Sequence, residues 1–131
     1  MGPEHQLHQR RGLTIIELLV VLVVIGVLAG LGFARLQYTK DKATMASLSS
    51  DLHGIAEEQE AYYFQNRNYS PTIDSLNPNL SPGNVIVILE ATGSGWSAQA
   101  SNPKIVKQCW VVIGSAAAVG TAVPDGGTSC S

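Results

Sequence analysis

The stretch RRGLTIIELLVVLVVIGVLAGLGFA, residues 10–34, decides the fold. Residues 18–34 contain no charge and no Ser, Thr, Asn or Gln. A helix over those residues reaches about 25 Å, and about 33 Å if it extends back to Leu13. The hydrocarbon layer of a bilayer is roughly 30 Å thick, so the stretch reads as a membrane-spanning helix. A secretory signal peptide also opens with basic residues and an apolar run, but its cleavage site follows the run and carries small residues. Here Ala34 is followed by Arg35, Leu36 and Gln37, which fits that pattern poorly. Glu17 is the anomaly in the segment. A lone carboxylate costs roughly 2.5–3.5 kcal/mol near the bilayer centre, and less toward the interface, unless something pairs with it. Either Glu17 snorkels to water, or a group from another copy of the chain neutralises it.

The same string closely resembles the prepilin processing motif of type IV pilins and type II secretion pseudopilins. The basic pair, the Gly, the apolar run and the Glu stand at matching spacings. The resemblance implies that prepilin peptidase cuts between Gly12 and Leu13 on the cytoplasmic side and N-methylates Leu13. It also implies that Glu17 is the carboxylate required for assembly. On that resemblance, the new amine at Leu13 of a neighbouring subunit would supply the cation that a buried carboxylate needs. Two departures stand out. The family usually has Phe directly after the cut, where this chain has Leu13. Many members carry a Pro near the position of Ala34, where this chain instead has Gly26, Gly30 and Gly32. Each Gly costs about 1 kcal/mol of helix propensity relative to Ala. These glycines suit close packing between helices in a membrane, or local melting of the helix in a fibre. Arg10 and Arg11 precede the span while Arg35, Lys40 and Lys42 follow it, so charge alone does not orient it. The resemblance places residues 1–12 in the cytoplasm.

Helical periodicity continues past the apolar run. Met45, Leu48, Leu52, Ile55, Gln59 and Tyr62 draw one stripe, and the opposite side carries Asp41, Lys42, Ser50, Asp51, Glu57, Glu58 and Glu60. No Pro occurs from Leu13 to Asn66, so one helix of about 50 residues is predicted, with Gly54 as a weak point. Residues 65–84 are rich in Asn, Pro and Gly and read as loop. Period-2 patterning follows. It predicts a strand at 85–89 buried on its faces, a second at 96–101, a third at 105–113 and a fourth at 116–123. Strands packed on the stripe of a long helix make an α+β head. With the resemblance, the expected fold is a type IV pilin fold, a long N-terminal helix on a small antiparallel sheet of three or four strands. The expected organisation is a leader at 1–12, a membrane or fibre-core helix at 13–35, the second half of that helix at 36–66 and a head at 67–131. The strings AEEQEAYYFQNRNYSP and GWSAQAS also resemble the start of the head in small type IV pilins.

The two cysteines, Cys109 and Cys130, exclude a disulfide-dense scaffold and a four-thiolate zinc site. Oxidation is expected if the head lies outside the cytoplasm, and two free thiols are the alternative. In pilins a C-terminal disulfide loop delimits a surface region, which here would be residues 110–129. No nucleophile elbow, P-loop or HExxH occurs, so no catalytic residue, metal or cofactor is expected. His53 and Glu57, four apart on a helix, read as a solvated pair without a third ligand. Lys104 and Lys107 near Trp96 and Trp110 offer cations beside aromatics, as in single-strand binding. Without residues 1–12 the chain holds six basic and nine acidic residues, a net charge of −3, so DNA is not expected as a partner. A small-molecule substrate is not expected either.

The reading that follows is structural. The resemblance implies a type IV pilin, a single-pass inner-membrane precursor with a periplasmic head. It would be trimmed, polymerised with copies of itself by an inner-membrane assembly machinery, and displayed as a surface fibre. The alternative is a type II secretion pseudopilin or minor pilin. The cysteine pair favours pilin, since major pseudopilins more often use a calcium loop and Asp125 stands alone near the C-terminus. A third reading is a membrane-anchored periplasmic binding domain that never polymerises.

Overall fold

The computed structural model describes residue 2 and residues 12–122, 124–125 and 127–131. The expected leader, apart from Gly2 and Gly12, lies outside the described residues, as does position 123 at the end of the expected fourth strand. The chain forms two compact units, Met1–Gln37 and Tyr38–Ser131.

Helix α1 runs Ile15–Asn66, 52 residues, as one element that starts two residues inside the expected boundary. Thr14 caps it. Its Oγ1 accepts the Glu17 N–H at 3.3 Å and its C=O accepts the Leu18 N–H at 3.2 Å. The helix ends because Arg67 turns left-handed, at φ 58°, while its N–H still donates to the Tyr63 C=O at 2.8 Å. Asn66 Nδ2 donates to the Tyr62 C=O at 3.0 Å and satisfies one of the last carbonyls. In the first unit the side chains from Ile15 to Phe33 are exposed. The helix is long and apolar enough to cross a membrane.

The second unit is α+β. Strands β1 (Val85–Ala91), β2 (Gly95–Ser101), β3 (Cys109–Gly114) and β4 (Ser129–Cys130) form one antiparallel sheet in the order β1-β2-β3-β4. The α1 stripe packs on one face of it. Leu48, Leu52 and Ile55 are buried against Ile86, Trp96, Ala98, Ala100, Cys109 and Val111. Each of those three aliphatic side chains contributes about 1.5–3 kcal/mol by burial. Ala98 and Ala100 on the inner strand leave room for the larger side chains of the helix. A second cluster of Val112, Ala116 and Ala122, joined by Trp110 and Val119, lies apart from this core.

Three strand expectations change. Strand β1 is not buried on both faces. It is an edge strand whose Ile86 is buried, whereas Val85, Val87 and Leu89 are exposed. The third strand begins at Cys109 rather than at residue 105. Asn102 makes a turn there, its Oδ1 accepting the Lys104 N–H at 3.0 Å and its C=O the Ile105 N–H at 3.2 Å. Residues 116–122 are not the fourth strand and hold only the isolated bridge Val119↔Ala122. Their apolar residues cover Val112 instead. Strand β4 is Ser129–Cys130, paired with Trp110 and Cys109. Within the expected loop, residues Ile73–Leu76 form one 3-10 turn with Leu76 buried.

Candidate functional site

The residues expected to be processed and to dock lie at the start of α1. Gly12, Leu13 and Thr14 are exposed and have no regular structure. A peptidase needs its scissile bond in extended backbone. The Gly12–Leu13 bond, the expected cleavage site, lies ahead of Ile15 and so outside the helix. Glu17 falls in the first turn, where the helix dipole favours an anion. Its N–H is held by Thr14, but its carboxylate accepts no hydrogen bond among the described residues. It is therefore available to a cation from elsewhere. A Cβ at Gly26, Gly30 or Gly32 would meet nothing within 4 Å, so nothing among the described residues requires glycine there.

The second region is the C-terminal loop. Cys109 and Cys130 form a disulfide between directly opposed positions of β3 and β4, closing residues 110–129 into a loop. That loop folds back on the sheet. A Cβ on Gly120, at φ +57°, would lie 2.5 Å from Trp110 Cδ2, so the backbone rests directly on the indole. The Asp125 N–H donates to the Val112 C=O at 3.1 Å, and its Oδ1 accepts the Gly114 N–H at 3.0 Å. The Asp125 carboxylate is thus engaged in holding the loop. Among the described residues, no group of three His, Cys, Asp or Glu side chains could hold a metal ion.

Trp96, His53 and Asp51 make their contacts within the second unit. Trp96 is fully buried, so no base can stack on it. His53 Nδ1 donates to the Ser49 C=O at 2.7 Å. Asp51, read from the sequence as part of a solvated side, is half-buried and accepts three hydrogen bonds. They come from the Ser81 N–H (2.9 Å), the Ser81 hydroxyl (2.8 Å) and Asn84 Nδ2 (2.7 Å). Asn84 Oδ1 in turn accepts from Asn102 Nδ2 at 2.7 Å. The adjacency of Asp51 to the stripe residue Leu52 was the signal for this role. Its partners lie 30 residues or more away and were not.

Residues 7–33 match the family described as the prokaryotic N-terminal methylation motif. Type II secretion system core protein G of Escherichia coli (strain K12) is 34% identical over 79 residues, 56% of this chain and 54% of that protein. The Klebsiella pneumoniae protein of the same name is 33% identical over 75 residues, 57% of this chain and 54% of its own length. The chain is pilin-like and carries a prepilin methylation motif. Type II secretion system core protein G of Pseudomonas aeruginosa is 32% identical over 71 residues, covering 54% of this pilin-like chain and 50% of the relative. The pilin-like chain spans about half the length of the curated relatives it matches.

Proposed function

We propose that this chain is a polymerising subunit of a type II secretion pseudopilus. It is made as a single-pass inner-membrane precursor, cut by prepilin peptidase between Gly12 and Leu13, and N-methylated on Leu13. The observation that carries this reading is the free Glu17 carboxylate in the first turn of an apolar helix, four residues after an exposed Gly12–Leu13 bond. During assembly the apolar helices leave lipid and pack on one another, and Glu17 pairs with the Leu13 amine of a neighbour. Charge pairing in a low-dielectric core is strong only when both partners are present, which makes docking dependent on prior cleavage. Gly26, Gly30 and Gly32 give the helices small-residue surfaces for close approach. The mature organisation is then a fibre-core helix at 13–35, its extension at 36–66 and a head at 67–131. The mechanism needs no enzyme chemistry in this chain.

The similarity to type II secretion core proteins supports the pseudopilin reading over a surface pilus. A type IV pilin in a surface fibre is the second reading, and the Cys109–Cys130 loop favours it. Deleting the gene separates the two. Loss of folded secreted proteins from the medium, with surface fibres intact, supports the pseudopilin. Loss of surface fibres with secretion intact supports the pilin.

A further inference from the structure

Val106 is 97% exposed, at the tip of the loop joining β2 to β3. The tip is held at both ends. Ile105 beside it packs against the core, and the turn at Asn102 is tied to Asn84. On the other side, Gln108 and Ser131 exchange two backbone hydrogen bonds at 3.1 and 3.0 Å. Lys104 and Lys107 flank the tip, and neither ammonium has an ion-pair partner among the described residues. It is a fixed apolar knob between two cations.

A groove of opposite character lies between α1 and residues 78–80. Gly54, Ile55, Pro78 and Leu80 line it, with Glu57 and Glu58 along the helix. A Cβ at Gly54 would meet nothing within 4 Å, so the glycine leaves the floor of the groove open. The Glu57 and Glu58 carboxylates accept no hydrogen bond among the described residues. Gly54 costs the helix about 1 kcal/mol of propensity relative to Ala, which the packing of the head does not explain.

We propose that the Val106 knob, with Lys104 and Lys107, docks in the Gly54–Glu58 groove of a second copy of this chain. The charges commit the occupant, since a cationic knob and an acidic groove sit on the same compact unit. Between copies whose helices run parallel, a knob and a groove at different levels along α1 cannot engage reciprocally, so the contact is heterologous and propagates instead of closing a two-fold pair. Through Asn84, Asn102 is bonded at the level of Ser47 on α1. The groove is lined on α1 from Ser50 to Glu58, and Asn84 also bonds Asp51, so the two glutamates stand about 9–17 Å further along the helix axis than the tie of the knob. Each docked copy is therefore stepped along the axis in one direction. This inference rests on the chain being a polymerising subunit.

The test places the photo-cross-linker p-benzoylphenylalanine at Val106 of the full chain in cells, mixed with heavy-nitrogen-labelled copies. Cross-linked peptides are read by mass spectrometry. The expected product joins residue 106 of one copy to the peptide holding Glu57 and Glu58 of another. The K104E/K107E and E57K/E58K variants each reduce it on the order of ten-fold, and the two together restore it. Gly54→Leu also removes the product, by filling the groove without changing charge. Intermolecular cross-links that map elsewhere, no such cross-link, or no restoration in the combined variant overturn the docking. Cleavage at Gly12 and sedimentable polymer are scored in the same cells. Their loss with the cross-link retained overturns the polymer reading alone, and their retention without the cross-link overturns the docking alone.

Discussion

Gln59 and Ser70 are locked by two reciprocal hydrogen bonds. The Ser70 N–H donates to Gln59 Oε1 at 2.8 Å, and Gln59 Nε2 donates to the Ser70 C=O at 2.9 Å. Both residues are fully buried. One amide side chain on α1 thus satisfies both backbone groups of a loop residue 11 positions away. Gln59→Leu keeps the volume but orphans those two groups, and the expected loss is about 2–5 kcal/mol of stability. Urea unfolding of the detergent-solubilised chain measures it. A variant within ~0.5 kcal/mol of the parent contradicts the role.

Gly120 rests on Trp110 at a left-handed φ, so two penalties fall on any side chain there. Gly120→Ala is expected to cost about 1–3 kcal/mol, with a red shift of tryptophan emission as the loop lifts from the indole. Gly127→Ala is the control. It has φ +77° but nothing within 4 Å, so only the backbone penalty of about 1 kcal/mol applies.

The disulfide holds β4, which is only two residues long. Cys130→Ser removes a cross-link that closes a loop of 21 residues' separation. The chain-entropy relation gives a loss of about 3 kcal/mol. Hydrogen exchange should rise first at the Ser129, Ser131 and Gln108 amides. Unchanged protection there would mean that the loop is held by Gly120 and Asp125 without the bridge.

Tyr69 gives a pH dependence. Its phenol is held above the ordinary value of 10.0, first by burial and then by its hydrogen bond to the Glu60 carboxylate at 3.0 Å. A raised folded pKa favours the protonated form. The contribution is therefore complete below the unfolded pKa and is lost as pH rises through the folded one. Stability should fall on alkaline titration above about pH 10 more steeply in the parent than in Tyr69→Phe. Equal slopes would refute the assignment.

Much of this architecture was legible because its signals are local. The apolar run, the stripe from Met45 to Tyr62 and the motif around Gly12 each sit in one continuous segment. Gln59 was legible as a stripe position, although its partner was not. What escaped depends on contacts between distant segments. Asp51 looked solvated because Ser81 and Asn84 are placed by the loop. Residues 116–122 looked like a strand because they are apolar, yet they are apolar in order to cover Val112. Strand β4 carries almost no pattern and is positioned by its pairing with β3 and by Cys109. The candidate processing residues came from a chemical string, whereas the groove near Gly54 needed residues 78–80 beside it.

The central claim is that the chain is cut after Gly12, methylated on Leu13 and carried into a polymer through Glu17. The intact mass of the protein in polymer sheared from, or sedimented with, the cell envelope tests it most directly. The account predicts the mass of residues 13–131 plus one methylene, for a methyl replacing a hydrogen, and less two hydrogens for the Cys109–Cys130 bridge. The Glu17→Ala chain should have the same processed mass but be absent from the polymer. An uncut, unmethylated chain found only in the membrane, or Glu17→Ala polymer at parental yield, would contradict the account.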